Sequence, residues 1–262
     1  MAAGDLVLSN LVLPDLVLIG ATFLLAGFVK GVVGLGLPTV GVGLLSLVMV
    51  PAEAAALLIV PSLVTNVWQL LAGPRFGALA RRLWPMMAGV CAGTWAGLGA
   101  LHRLDLLTGT AATRAAGGLG LALMLYAALG LARVQVPAPG RHEGWLAPLV
   151  GVLTGVVTAA TGVFAIPAVP YLGALGFGKD EMIQALGLSF TVSTIALALG
   201  LATTGVFRAE AAAASMLALV PALLGLAAGG WVRGRVQAST FRLCFLVGLF
   251  GLGLHLALHG LA

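Results

Sequence analysis

Gly27-Phe-Val-Lys-Gly-Val-Val-Gly34-Leu-Gly-Leu-Pro38 recurs as Gly155-Val-Val-Thr-Ala-Ala-Thr-Gly162-Val-Phe-Ala-Ile-Pro167. Each copy interrupts an apolar run with glycines and closes with a proline. An interruption of this kind frees backbone N–H and C=O groups. Lipid offers them no partner, so such a break survives in a membrane only where protein or a water-filled cavity surrounds it. Two matching breaks, one in each half of a chain, point to a transporter's substrate site.

The rest of the chain reads as membrane protein. Of its 262 residues, 61% are hydrophobic and 8% charged, against roughly 25% charged in soluble domains. Charge-free runs cover residues 31–52, 54–74, 83–101, 115–132, 144–178, 182–207 and 211–232. A hydrocarbon core of about 30 Å takes about 20 helical residues. The runs are continuous and do not alternate, which favours helices over a barrel. The net charge of +5 does not point to nucleic acid, because the Lys and Arg residues are scattered over loops, as the positive-inside rule explains. Cys91 and Cys244 lie in apolar runs and read as small packing residues. The stretch from Met1 to Asp15 has no basic n-region and carries Asp5 and Asp15, so no cleaved signal peptide is expected.

The duplication extends beyond the breaks. Gly27 and Gly155, Gly34 and Gly162, Glu53 and Glu181, Asn66 and Thr194, and Arg114 and Arg242 are all separated by the same interval. Pro85, Gly89 and Gly93 match Pro221, Gly225 and Gly229 at a slightly longer interval, as a difference in loop length produces. Each half holds five apolar segments, near 14–34, 38–51, 54–73, 83–101 and 111–132, then 145–163, 166–178, 182–204, 211–231 and 240–259. The expected fold is therefore an all-α polytopic membrane protein with two repeats, 16–133 and 145–262, after an N-terminal segment 1–15 and around a linker 134–144. The second segment of each half is too short to span, so a broken or re-entrant helical hairpin is expected to begin each repeat. Five segments per half invert the second repeat. With the N-terminus outside, Arg75, Arg81, Arg82, Arg133, Arg141, Lys179, Arg233 and Arg235 fall inside, while Arg103 and Arg208 fall outside with Arg114 close by. That distribution fits inversion.

Polar residues inside a membrane are costly and are functional candidates. Lys30 has two readings. Within the first break its charge attracts an anion; alternatively, its long stem snorkels to the inner interface. Its repeat mate is Thr158. Gly31, Gly34, Gly36 and Gly162 permit tight turns and close ligand approach. Helices starting near Pro38, with Thr39 beside it, and near Pro167, with Thr161 before it, aim positive dipole ends at the breaks. Close packing through small residues is the competing account of these glycines. In the third segment Ser62, Thr65, Asn66 and Gln69 share one helical face, and the second half answers with Ser189, Ser193 and Thr194, with Thr191 and Gln184 nearby. Such side chains hydrogen-bond a polar substrate or join helices. The expected substrate-binding set is Lys30, Gly31, Gly34, Gly36, Pro38, Thr39, Asn66, Gln69, Thr158, Thr161, Gly162, Thr191 and Thr194. Every Asp and Glu sits at a segment end, so no intramembrane carboxylate is available to relay protons or bind Na⁺. The sequence has no GxxxxGK[ST], H-E-x-x-H or G-x-S-x-G motif and no Cys/His cluster. No cofactor, metal site or enzymatic activity is expected.

The stretch Ala26-Gly-Phe-Val-Lys-Gly-Val-Val-Gly-Leu-Gly-Leu-Pro38, a Val/Leu-rich run and Pro51-Ala-Glu-Ala resemble the sulfite exporter TauE/SafE family of membrane transporters. So does Leu149-Val-Gly-Val-Leu-Thr-Gly-Val-Val-Thr-Ala-Ala-Thr-Gly162; Leu37 and Phe164-Ala165 depart from the family's richer glycine run. The resemblance implies transport of a small sulfur oxyanion or organosulfonate, of the sulfite or sulfoacetate type. The expected partners are a small anionic substrate and membrane lipids, in a bacterial inner membrane. The leading reading is a secondary transporter working by alternating access; a passive anion channel and a membrane scaffold are the alternatives. Without an acidic coupling site, export is expected to run as electrogenic uniport or as exchange against another anion.

Overall fold

In the computed structural model, residues 13–103, 111–132, 134, 136–233, 235 and 238–261 are described. Among them, ten α-helices make up the bundle: α1 Leu13–Val33, α2 Leu37–Leu45, α3 Pro51–Leu71, α4 Phe76–Arg103, α5 Ala111–Leu131, α6 Glu143–Thr161, α7 Ala168–Ala174, α8 Lys179–Thr203, α9 Ala209–Arg233 and α10 Ala238–Leu261. Shifted by the interval that relates Gly34 to Gly162, each helix of the first half falls largely on one of the second half. Helix α4 begins earlier than its charge-free run, because Arg81 and Arg82 are helical as well.

Among the described residues, five helices are long and apolar enough to cross a membrane, namely α3, α6, α8, α9 and α10. The core is largely apolar but carries a set of buried polar side chains, and the rim is apolar. Lys30, Ser62, Thr65, Asn66, Gln69, Thr158, Gln184, Ser189, Ser193 and Thr194 are buried, while Leu24, Leu25, Trp68, Trp84, Leu121, Leu217 and Leu224 are exposed. Water would reverse this preference; lipid around the rim accounts for it. The protein is an integral membrane protein. Cys91 and Cys244 are exposed, which corrects the expectation that they fill gaps between helices.

Helix directions follow from the close contacts. Asn66 meets Thr194, Leu70 meets Gly187, and Gly73 meets Gln184, so α3 and α8 run antiparallel. Gly120 lies against Gly253 and Ala257, and Gly130 against Leu246, so α5 and α10 run antiparallel as well. Both pairs consist of helices that occupy equivalent positions in the sequence repeat. The other large interfaces join the halves crosswise, α1 on α9 and α6 on α4, each pair running parallel. Glycine makes these crossings. A Cβ on Gly27 or Gly31 would strike the backbone of Ala222 or Leu226, and one on Gly151 or Gly155 that of Met86 or Val90. With hydrogen alone at these positions, the backbones approach closely enough for dispersion contact in a setting without hydrophobic driving force.

Pro61 lies inside α3 and supplies no N–H, which leaves the carbonyl of Leu57 without its helical donor. Ser215 of α9 takes over. Its hydroxyl donates to Leu57 O at 2.7 Å and accepts from Val60 N–H at 3.0 Å. The missing donor at Pro61 and the α3–α9 contact are thus one feature.

Candidate functional site

Helix α1 continues through Lys30 to Val33, and the break is confined to residues 34–36. Lys30 therefore stands in the last helical turn and not in the break, a correction that follows from the helical backbone bonds ending at Gly34 N–H to Lys30 O, 2.7 Å. Gly162 N–H to Thr158 O, also 2.7 Å, ends α6 the same way. Both terminating glycines have left-handed φ, +86° at Gly34 and +68° at Gly162. Glycine reaches that region without a Cβ clash, which is why it ends helices. Gly36, with φ +118°, opens α2, and Pro38 follows within its first turn. Pro167 directly precedes α7.

Lys30 is 4% exposed. It turns inward, so it does not snorkel. Its ammonium donates to Thr65 Oγ1 at 3.0 Å and to Asn66 Oδ1. Asn66 passes the chain across the interface, its Nδ2 donating to Thr194 Oγ1 at 3.3 Å. The two are repeat mates. They are separated in the sequence by the same interval that relates Gly34 to Gly162, and the bond joins α3 to α8. One turn along α3, Gln69 Nε2 donates to Gly34 O at 2.9 Å and ties the break to the same seam. Thr65 hydroxyl donates to Pro61 O at 2.7 Å, and Thr194 hydroxyl to Phe190 O at 2.6 Å. Ser62 Oγ, Gln69 Oε1, Ser189 Oγ and Ser193 Oγ are buried along this seam with no partner among the described residues. Buried polar atoms are seldom left so.

The expected site residues divide into groups. Lys30, Gly34, Asn66, Gln69 and Thr194 share one hydrogen-bonded chain. Thr158, Thr161 and Gly162 line a cleft of about 20 Å³ beside the second break, together with Pro51, Leu101 and Leu201. Thr161 hydroxyl donates to Val157 O at 2.6 Å and accepts from Val163 N–H at 3.2 Å, and Thr158 hydroxyl donates to Val163 O at 3.4 Å. Gly36, Pro38 and Thr39 form the start of α2, with Phe245 of α10 beside Gly36. Thr191 hydroxyl is spent on Gly187 O at 2.6 Å. Gly31 permits no turn: it is helical and packs on α9, since a Cβ there would meet Leu226 O. Gln184 is a cap. Its amide donates to Leu70 O and Gly73 O at 2.8 and 2.6 Å, and its carbonyl accepts from Arg75 N–H at 3.1 Å, closing the end of α3. Thr65 stands outside the expected set but contacts Lys30 directly; its place next to Asn66 on the polar face was the signal. Ser193 is its repeat mate. Among the described residues, no group of three or more His, Cys, Asp or Glu side chains is placed to hold a metal.

A polytopic helical bundle with a buried cation and a polar seam between helices has the features expected of a membrane transporter's interior. Residues 19–256 match the family model described as sulfite exporter TauE/SafE. The chain belongs to that family. No curated protein and no solved structure matches it.

Proposed function

We propose that the protein is a secondary transporter that moves a small sulfur oxyanion or organosulfonate across the bacterial inner membrane by alternating access. The observation that carries this reading is Lys30, a buried ammonium held by Thr65 and Asn66 where the two halves meet. An anion gains most from a cation that is out of water. The unpartnered Ser62, Ser189 and Ser193 hydroxyls and Gln69 Oε1 along the seam are available to a ligand's oxygens or hydroxyl groups. On this reading Lys30, Asn66, Gln69 and Thr194 contact the substrate, the glycines and Pro38 shape the first break, and Thr158, Thr161 and Gly162 shape the second.

Two inverted repeats, 16–133 and 145–262, account for the antiparallel pairing of α3 with α8 and of α5 with α10. Within each, the short helix α2 or α7 is read as the return limb of a re-entrant hairpin. The cleft at the second break, about 20 Å³, has room for about one water. A sulfur oxyanion is larger, so admitting it requires movement of the breaks, which favours a gated carrier over an open channel. The test is uptake of labelled sulfite into liposomes containing the protein. Uptake that saturates, together with stabilisation against heat by sulfur oxyanions, supports the carrier. Flux that rises without limit with concentration assigns a channel instead.

A further inference from the structure

Among the described residues Lys30 is the one fully buried charge; the other buried polar side chains are Ser, Thr, Asn and Gln. Its two partners, Thr65 Oγ1 and Asn66 Oδ1, are neutral. The described carboxylates lie at helix starts, several turns along the chain from this seam, and two are already committed: Glu181 pairs with Arg75 at 3.1 Å and Glu143 with Arg82 at 2.7 Å. Nothing described in the interior balances the ammonium.

An ion without a counter-charge is costly to hold in a low-dielectric interior, and a matched pair costs far less. Three charge states of the site follow. Empty, it buries one positive charge. Holding a singly charged anion, it is neutral. Holding a doubly charged anion, it buries one negative charge. A carrier must pass through a closed state in which the site is sealed from both sides, and closing is favourable only for the neutral combination. The discrimination is therefore set by one residue's charge and not by pocket shape.

We propose that the Lys30 site carries singly charged anions and carries them by exchange, one in for one out. This rests on the reading of Lys30 and Asn66 as the transport site. Sulfonates with a single ionised group and hydrogensulfite fit it. Sulfate, fully ionised sulfite and sulfoacetate, with its second carboxylate charge, do not. The empty carrier returns slowly, because it must either close around an unbalanced ammonium or first give up that proton. The orphan hydroxyls of Ser62, Ser189 and Ser193 serve either class of anion as neutral donors, so they set no preference by charge.

The experiment uses the full chain in liposomes, with radiolabelled sulfite outside in mildly acidic buffer, where hydrogensulfite predominates. Membrane potential is clamped. The interior holds methanesulfonate, hydrogensulfite or sulfate at equal ionic strength. Uptake is expected to run at least tenfold faster against an internal monoanion than against sulfate, and external sulfate is expected to compete at least tenfold more weakly than unlabelled hydrogensulfite. Equal uptake against all three interiors, or sulfate competing as well as hydrogensulfite, overturns the proposal and leaves the transporter reading standing. No saturable uptake against any interior removes the transporter reading itself. Lys30→Met removes the buried charge of the empty carrier, so its remaining uptake is expected no longer to depend on an internal monoanion; a variant that elutes as folded protein and keeps the tenfold dependence on the internal anion also overturns the proposal. The wild-type comparison decides the matter if that variant fails to fold.

Discussion

Lys30 is held by the tip of its side chain, and both of its partners are neutral. Removing its charge deletes a hydrogen bond to a charged group, which is worth about 1.5–3 kcal/mol, or roughly one to two orders of magnitude in affinity. Lys30→Met is therefore expected to weaken anion binding about tenfold or more while the protein still folds, since Thr65 keeps its bond to Pro61 O and Asn66 its bond to Thr194. Lys30→Arg is expected to restore binding only in part, because a planar fork does not fit the space of a compact ammonium. Calorimetric titration with methanesulfonate and sulfite checks both. Unchanged affinity in Lys30→Met would assign the residue to structure alone. Asn66→Ala removes the acceptor beside Lys30 and the bond across the seam together. It is expected to lower both affinity and thermal stability, and so to differ from Lys30→Met, which acts on affinity.

At the scale of helices, much of this architecture was legible in the sequence, and its failures have physical causes. Gly34, Gly36 and Gly162 announced the breaks, and each has the left-handed φ that only glycine adopts freely. Gly31 looked the same on paper but serves a helix crossing, because a glycine in a string carries no mark telling backbone freedom from close approach. The direction of Lys30 was equally hidden: a long side chain near a helix end either snorkels or turns in, and packing decides. Ser215 gave no signal of its own, yet Pro61 implied that some donor must replace its missing N–H. Ser215→Ala leaves Leu57 O without a donor in the interior and removes the bond from Val60 N–H. The expected loss is about 1–3 kcal/mol, read as a lower unfolding temperature in detergent with anion affinity little changed. Two glycines of α4 give an internal contrast. A Cβ on Gly93 would strike Val152 O, whereas one on Gly99 meets nothing within 4 Å. Gly93→Ala is expected to destabilise by about 1–3 kcal/mol through overpacking, and Gly99→Ala to be neutral or slightly stabilising. Equal effects at the two positions would show that the α4–α6 crossing does not depend on backbone approach.

At the scale of the whole molecule, helix directions fix which connections share an end. Helix α3 runs toward the end where α8 begins, marked by the Arg75–Glu181 ion pair. Helix α4 starts at that end, and α6, parallel to α4, starts there too, where Arg82 and Glu143 join at 2.7 Å. Helix α9 returns to it after α8, so Arg233 and Arg235 arrive beside Arg75, Arg81, Arg82 and Arg141, while Arg103 and Arg208 are left at the opposite end. Both ion pairs are surface-exposed in part and contribute little to stability; their interest lies in tying the first half to the second at this end. Positive charge accumulates on the cytoplasmic side of membrane proteins, so the end rich in arginine is expected to face the cytoplasm. Single cysteines replacing Arg81 and Arg233, on a background lacking Cys91 and Cys244, are therefore expected to react with an impermeant maleimide only when the cytoplasmic face is open to it. A cysteine replacing Arg208 is expected to react from the opposite side in intact cells. Arg81 lies near the start of α4 and Arg233 at the end of α9, helices that the repeat makes equivalent. A parallel duplication with four crossings per half would set them on opposite faces, so labelling of Arg81 and Arg233 from different sides would refute the inverted arrangement. Labelling of all three from one side would refute the helix directions themselves.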